Sequence, residues 1–402
     1  MLYVFYFFAL VLIVLGCQSL RGGINYLNFF KREIARPKSD FTPFCSIIAP
    51  CRGLDEDLRE NLSALFRQDF PAYEIIFVVG DKRDAAVKVI EEIQCQGAKF
   101  AKLIVAGKAE NESQKVYNLR RAVLEVSEKS KVFVFVDSDA RPGEDWLRNL
   151  IAPLADETVG CATGYRWFIS KKISFASELR SVWNASVASA LGANLEKNFC
   201  WGGSMAMRRA TFEKLNIREK WRGTLSDDFT VTRVMKAANL PIYFVPQCLT
   251  ATIENCNYRE MLEFTTRQMK ITRACAEHLW KASFIGSFIF SMVFWTGVAL
   301  LFSVSGWHLW LTLASVGVIF ALGAIKAWLR LKAVKLVLND YENELNRQFF
   351  SHLFFWTLTP PIFFYNCVCA LLSNKIVWRG IEYELRSATE TRVLTTNKGQ
   401  IE

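Results

Sequence analysis

The sequence predicts an α/β fold: a mostly parallel, Rossmann-like sheet with flanking helices, joined to transmembrane helices at both ends. Three observations carry this. Between residue 44 and about 155, short β-rich apolar runs alternate with segments whose apolar residues recur at helical spacing; such alternation builds a parallel sheet covered on both faces. Residues 2–17 (LYVFYFFALVLIVLGC) carry no charge. Three further apolar stretches lie near 283–305, 307–328 and 349–373, and about 20 apolar residues cross a bilayer as a helix. The expected division is an N-terminal anchor over 1–20, a globular domain over 38–280, a C-terminal membrane region over 281–374 and a polar tail over 375–402.

The first stretch lacks a basic start and a small-residue cleavage site, so it reads as an anchor rather than a cleaved signal. Arg21, Lys31, Arg32, Arg36 and Lys38 follow it, and basic flanks stay on the cytoplasmic side. The globular elements then come in order. FCSIIAP (44–50) is a strand, and GLDEDLRENLSALFRQ (53–68) has helical spacing. EIIFVVG (74–80) is a strand, DAAVKVIEEIQ (84–94) an amphipathic helix and FAKLIVA (100–106) a strand. SQKVYNLRRAVLEVS (113–127) is a helix and VFVFV (132–136) a fourth strand. TVGCATGYRWF (158–168) reads as a strand, and 174–196 as a helix of mixed polarity lying on the membrane. TLSDDFTVTRVMKAANL (224–240) reads as a helix capped by Ser226, with Asp227 and Asp228 in its first turn where the dipole favours anions. YFVP (243–246) is a strand. Residues 258–281 form one long helix leading into the membrane. Thr359-Pro360-Pro361 interrupts the last apolar stretch, which predicts a kinked span or a re-entrant hairpin.

Composition excludes several chemistries. The 11 cysteines have no CxxC pair or regular spacing, so neither a disulfide framework nor a zinc site is indicated. His278, His308 and His352 are the only histidines, too few for histidine metal clusters. The net charge of +10 comes without a nucleic-acid motif; no nucleic-acid partner is expected, and the charge suits an anionic membrane surface.

Asp137 and Asp139 end a buried strand two residues apart. In open α/β sheets ligands bind where strands end. Two carboxylates there suit Mg²⁺ or Mn²⁺, which takes one or two protein carboxylates and fills its shell with phosphate and water. The plainer reading of the pair is two solvated loop acids. Asp81 follows a strand and is either a base-binding carboxylate or a helix cap. Lys115 is either a diphosphate partner or an exposed helix lysine. Gly202 and Gly203 allow close backbone approach, though a turn alone would use them. Asp227 and Asp228 are a second acidic pair or simple capping residues. Arg267, Lys270 and Arg273 recur on one side of a helix, as a ligand-facing or a membrane-facing basic row.

These pieces, in this order, resemble the inverting GT-A glycosyltransferases of family two, and closely the membrane-bound ceramide glucosyltransferase type and its bacterial lipid-glycosylating relatives. The resemblance covers nearly the whole chain. It rests on Ala49-Pro50-Cys51-Arg52-Gly53, Asp81, Lys115 and Asn118 in SQKVYNL, DSD (137–139), WGGSMAMRR (201–209), SDD (226–228) and KIVWRGIEYEL (375–385). One segment departs. The (Q/R)xxRW motif aligns with Arg267-Gln268-Met269-Lys270-Ile271. Lys270 keeps the charge but not the planar fork, and Ile271 replaces an aromatic platform used by processive synthases.

The resemblance implies transfer of one sugar from a UDP-sugar, glucose first among the candidates, to a membrane lipid hydroxyl such as that of ceramide, with inversion. It implies that Pro50, Asp81, Lys115, Asp137, Gly202 and Gly203 bind the nucleotide sugar, and that Asp139 holds Mg²⁺ or Mn²⁺. Asp228 would be the base. Trp201, Asp227, Arg267, Gln268 and Lys270 would face the acceptor or the diphosphate. The expected setting is a multi-pass protein of the plasma or inner membrane, with its catalytic domain cytoplasmic. The rivals are a processive polysaccharide synthase, a non-catalytic nucleotide-binding scaffold and a transporter. A complete RxxRW and more membrane helices would favour the synthase. Loss of Asp139 or Asp228 would favour the scaffold, and an intramembrane acid–base series the transporter.

Overall fold

A computed structural model describes residues 2–95 and 100–396. Met1 of the expected anchor and residues 397–402 of the expected tail lie outside them. Seven strands form one sheet: β1 (Cys45–Pro50), β2 (Tyr73–Val79), β3 (Ala101–Val105), β4 (Val132–Val136), β5 (Cys161–Ile169), β6 (Ser204–Arg208) and β7 (Ile242–Ile253). Their spatial order is β3-β2-β1-β4-β6-β5-β7. All neighbours are parallel except β6, which runs antiparallel to β4 and β5.

The central strands are buried on both faces, which is why they read as unbroken apolar runs rather than alternating ones. Successive side chains still divide between the two layers. Val132, Val134 and Val136 enter the core that holds Leu58, Leu62 and Trp146. Phe133 and Phe135 enter the opposite core, with Val116, Leu119 and Trp221. Helices therefore cover both faces.

The N-terminal helix spans Leu2–Ile34 and is longer than an anchor requires. Its last turns dock on the sheet: Phe30 is fully buried, and Phe29 stacks on Phe244 of β7 at 6.2 Å. The nearby Glu33 carboxylate is buried and accepts from the Tyr243 hydroxyl at 2.7 Å. Among the described residues, three helices are long and apolar enough to cross a membrane: Leu2–Ile34, Glu277–Leu300 and Trp307–Lys335. A fourth apolar stretch is a pair, Phe349–Phe355 and Thr359–Leu372, bent by 65°. Pro360 and Pro361 open its second helix; without N–H groups they cannot continue the first one's hydrogen bonding.

Three local expectations differ from the structure. The helix expected over 258–281 is two, Tyr258–Cys275 and Glu277–Leu300, broken at Ala276 (φ −148°, ψ 64°). The first lies along the domain while the second carries the apolar stretch. The segment expected to lie on the membrane is a helix over Phe175–Ala188 with most of its residues buried. Ser181 donates to the Phe168 carbonyl at 2.9 Å, and Trp183 stacks on Phe363 at 4.6 Å, so the helix is wedged between β5 and the bent pair. Residues 375–396 form a second, antiparallel sheet, β8 (Lys375–Trp378), β9 (Ile381–Leu385) and β10 (Thr391–Thr396). It folds back on the domain through Ile376, Ile381, Tyr383 and Leu385, which bury Ile271 and Leu225. Leu338 and Leu345, just before the bent pair, are in the domain core as well. Both flanks of the bent pair thus contact the same domain.

Candidate active site

The strand order reverses between β1 and β4, and the crevice beyond their carboxyl ends is where open α/β sheets bind ligands. A cavity of about 590 Å³ occupies that place. Pro50, Cys51 and Arg52 border it after β1; Asp137, Ser138 and Asp139 border it after β4. Packed strands fix both loops, so the carboxylates sit on a rigid edge.

Lys115 is the hub. It lies in the first turn of the helix Gln114–Ala122, whose N-cap Ser113 accepts from the Val116 N–H at 3.1 Å. Its Nζ is 2.7 Å from Asp137 Oδ1 and 3.1 Å from Asp227 Oδ1. Burial opposes its charge, but Asp137, Asp227 and Asp228 outweigh burial and raise its pKa above the ordinary lysine value. Burial also works against the Asp137 anion, yet Lys115 and Arg166 win and lower its pKa.

Ser226 caps the helix Asp227–Ala237 as expected, accepting from the Phe229 N–H. Asp228, in the first turn, accepts from the Phe229 N–H at 2.7 Å through Oδ1, where Ser226 Oγ also donates, and from the Gly202 N–H at 3.3 Å through Oδ2. It lines the cavity. A Cβ on Gly202 would stand 2.1 Å from Asp227 Oδ2, and one on Gly203 2.1 Å from the Trp201 ring. The glycines are needed for close packing of the site itself.

Arg166 was not foreseen. It projects from β5 just after the pairing with β7 shifts register between Thr163 and Tyr165; such irregularities re-aim side chains beside sites. Its guanidinium lies 3.2 Å from Asp139, 3.7 Å from Asp137 and 4.9 Å from the centre of the Trp201 ring. A lone charge inside the run CATGYRWFI was the available signal. Arg379 is a further site residue, within the segment KIVWRGIEYEL, that the sequence motifs do not single out. It pairs with Asp55, which accepts from Ser138 Oγ at 2.5 Å.

The other expected residues divide. Trp201, Asp227, Arg267 and Gln268 line the cavity. Burial and the nearby Arg379 and Arg166 push the Arg267 pKa down to about 10. Asp81 does not line the cavity: Arg83 holds it through N–H and guanidinium bonds of 2.9–3.2 Å, and its carboxyl is well below the usual range. Lys270 also stands outside the lining; its Nζ donates to the Lys375 carbonyl at 2.7 Å and ties down the C-terminal sheet.

Could these residues hold a divalent cation? Among the described residues no group of three His, Cys, Asp or Glu side chains is placed to hold one alone. However, Asp139 Oδ1 and Asp227 Oδ2 are buried without a hydrogen-bond partner, which is costly for a carboxylate. Burial raises both groups to about 6. Hard oxygen donors with unmet capacity beside a cavity of this size fit Mg²⁺ or Mn²⁺ completed by ligand oxygens.

The chain is similar in fold to several solved structures. One is a mannosyltransferase from Pyrobaculum calidifontis in complex with GDP-Man and Mn²⁺ (16% identity, 92% of this chain and 98% of that one, TM-score 0.45). A second is GalNAc-T7 with UDP, GalNAc and Mn²⁺ (13%, 57% and 51%, TM-score 0.42). A third is glucosyl-3-phosphoglycerate synthase from Mycobacterium tuberculosis with phosphoglyceric acid (13%, 62% and 84%, TM-score 0.36). The sequence model of glycosyl transferase family 21 matches residues 2–391. The motif resemblance points to this class through the ceramide glucosyltransferase type, although it carries the family number two rather than 21. Nearly the whole chain is matched, and the protein belongs to glycosyl transferase family 21.

Proposed function

We propose that this glycosyltransferase moves a single sugar, glucose first among the candidates, from a UDP-sugar to the hydroxyl of a membrane lipid such as ceramide, with inversion. One observation carries the reading. The cavity that holds Asp137, Asp139 and Asp228 is also lined by Trp183, Phe264 and Met269, and these pack with Cys367 and Ala370 of the bent apolar pair. A polar donor region and an apolar wall thus share one chamber.

The residues divide the work. Lys115, Arg166 and Arg379 would neutralise the diphosphate, and the buried cations would be worth more there than in water. Asp139, with its unpartnered Oδ1, would hold Mg²⁺ or Mn²⁺. The cation, when bound, supplies stabilisation of charge on the leaving diphosphate. Asp228 would take the proton from the acceptor hydroxyl as its oxygen attacks the anomeric carbon. The Gly202 and Phe229 N–H groups, with Ser226 Oγ, orient that carboxylate. Direct attack needs a single carboxylate acting as base and inverts the configuration. Asp81, held by Arg83 outside the cavity lining, would meet the nucleoside end.

The same geometry supports a membrane setting. The three long apolar helices would span the bilayer, with the domain on the cytoplasmic side of a plasma or inner membrane, as the basic residues after the anchor favour. The bent pair begins and ends beside the domain, so it is a re-entrant hairpin, and the lipid acceptor reaches the chamber along it. The test uses purified protein in mixed lipid with Mn²⁺ or Mg²⁺, a panel of UDP- and GDP-sugars, and mass spectrometry of the lipid fraction. A glycolipid bearing one sugar is expected. A polymer, or no transfer from any donor, would reject the reading.

A further inference from the structure

A second cavity, of about 270 Å³, lies on the far side of the helix Phe175–Ala188 from the active site. Val182 and Ser186 of that helix face it, whereas Trp183 and Val187 face the active-site chamber. Its other walls come from the N-terminal helix (Leu15, Ser19), Phe290 of the helix Glu277–Leu300, the helix Trp307–Lys335 and the bent pair. The lining is mainly apolar, with two cations one helical turn apart, Lys326 and Arg330, and no carboxylate.

Those cations are under-partnered. Lys326 Nζ has one hydrogen bond, to Ser19 Oγ at 2.7 Å. Arg330 is only 6% exposed, and its Nε is buried without a partner. Among the described residues neither side chain is in an ion pair. A cation at the end of a membrane helix usually extends its head to water. Arg330 is instead enclosed, and an enclosed charge without a counter-charge is strongly unfavourable.

Depth indicates the missing anion. Trp307 and Trp310 are exposed at the start of their helix, as interfacial tryptophans are. From Trp307 to Lys326 the helix rises by about 29 Å, close to the roughly 30 Å hydrocarbon thickness. Lys326 and Arg330 therefore stand at headgroup level on the domain's side. Basic pockets between membrane helices at that level suit anionic headgroups.

We propose that this cavity is a binding site for one anionic phospholipid, distinct from the acceptor. Its headgroup phosphate accepts from Arg330 and Lys326, and an acyl chain lies along Leu12, Leu15 and Phe290. Because one helix separates it from the chamber, its occupancy steadies Trp183 and hence the acceptor wall.

The test uses full-length protein stripped of lipid in detergent, then titrated with phosphatidylglycerol, phosphatidylcholine or inorganic phosphate. Retained lipid is counted by native mass spectrometry, a readout independent of sugar transfer. One phosphatidylglycerol per chain is expected, bound roughly 30-fold more tightly than phosphatidylcholine if each cation contributes its usual surface attraction. Lys326→Gln with Arg330→Gln should abolish the preference. Ser186→Phe, which fills the cavity and leaves both cations, should abolish retention and decides the matter if the double variant does not fold. Equal retention of the two lipids, retention in Ser186→Phe, or competition by inorganic phosphate at equal concentration would overturn the proposal.

Discussion

The Arg52 guanidinium donates to the Arg379 carbonyl at 2.8 Å, and Arg379 donates back to the Arg52 carbonyl at 3.2 Å. The loop after β1 and the C-terminal sheet are thus locked together across the chain. Arg379 holds a left-handed backbone (φ 51°) at the tip between β8 and β9 and also pairs with Asp55. Trp378, beside it, lines the cavity.

Removing this clasp should impair catalysis more than folding. Arg379→Ala leaves Asp55 without its cation and removes one of the clasp's two hydrogen bonds, and misplacing a site by about 1 Å can cost about 100-fold in rate. The expected result is a fall in kcat/KM of about 10- to 100-fold with a cooperative unfolding transition retained. Steady-state transfer assays with thermal unfolding would check it. Wild-type kcat/KM in the variant would show that the clasp is not part of the working site.

Asp228→Asn should separate chemistry from binding. The amide keeps the size, and its one oxygen can still accept from the Phe229 N–H, though not also from the Gly202 N–H, which meets the other carboxylate oxygen; it cannot take a proton. Turnover should drop about 10²- to 10⁴-fold while nucleotide affinity, measured by calorimetry, stays within about twofold. A comparable loss in Asp228→Asn and Asp81→Asn would instead point to a general electrostatic role.

Much of this site was legible because its signals are local. A buried run ending in DSD, a Ser226 cap followed by two acids and a lysine in a first turn each show in a few residues. What depends on distant partners was not legible. Asp81 follows a strand as a ligand-binding acid would, yet Arg83, two residues on, holds it, and it does not line the cavity. Lys270 resembles a phosphate contact, but the sheet formed by residues 375–396 claims its ammonium. Arg166 enters through a register shift set by β7, about 80 residues downstream. Membrane spans were clear from hydropathy, whereas the wedging of Phe175–Ala188 depends on helices from the other end of the chain.

Buried acids give a pH signature in the cation-free protein. Burial raises Asp227 and Asp139 to about 6, against about 3.9 in an unfolded chain. Between those values the folded protein keeps protons that the unfolded chain has released, so stability falls as pH rises through the window. Asp137 has the opposite sign, being lowered, but its contribution is lost only as pH falls below about 4. With chelator present, the unfolding midpoint of the wild type relative to Asp227→Asn should be lower at pH 7 than at pH 5. A difference between the two proteins that grows in the wild type's favour from pH 5 to pH 7 would contradict this.

Gly202 has no room to grow. Its Cβ would meet Asp227 Oδ2 at 2.1 Å and Lys115 Nζ at 2.8 Å, so Gly202→Ala must push apart the central ion pair. Overpacking of this kind costs about 1–3 kcal/mol, and transfer should be lost with it. Gly192→Ala, where nothing lies within 4 Å of the added carbon, is the control and should leave both stability and activity near wild type.

Ile271 tests why this chain departs from the processive pattern. It is 7% exposed and packs under Ile376, Ile381 and Tyr383 of the C-terminal sheet, where it also borders the cavity. A tryptophan there adds a large ring to a filled cluster and lifts the sheet that carries Trp378 and Arg379. Ile271→Trp should therefore lower activity through the same clasp as Arg379→Ala, at a cost of about 1–3 kcal/mol in stability, and products analysed by mass spectrometry should still carry one sugar. Products with two or more sugars would mean that the aromatic platform alone sets chain length, and that the C-terminal sheet tolerates it.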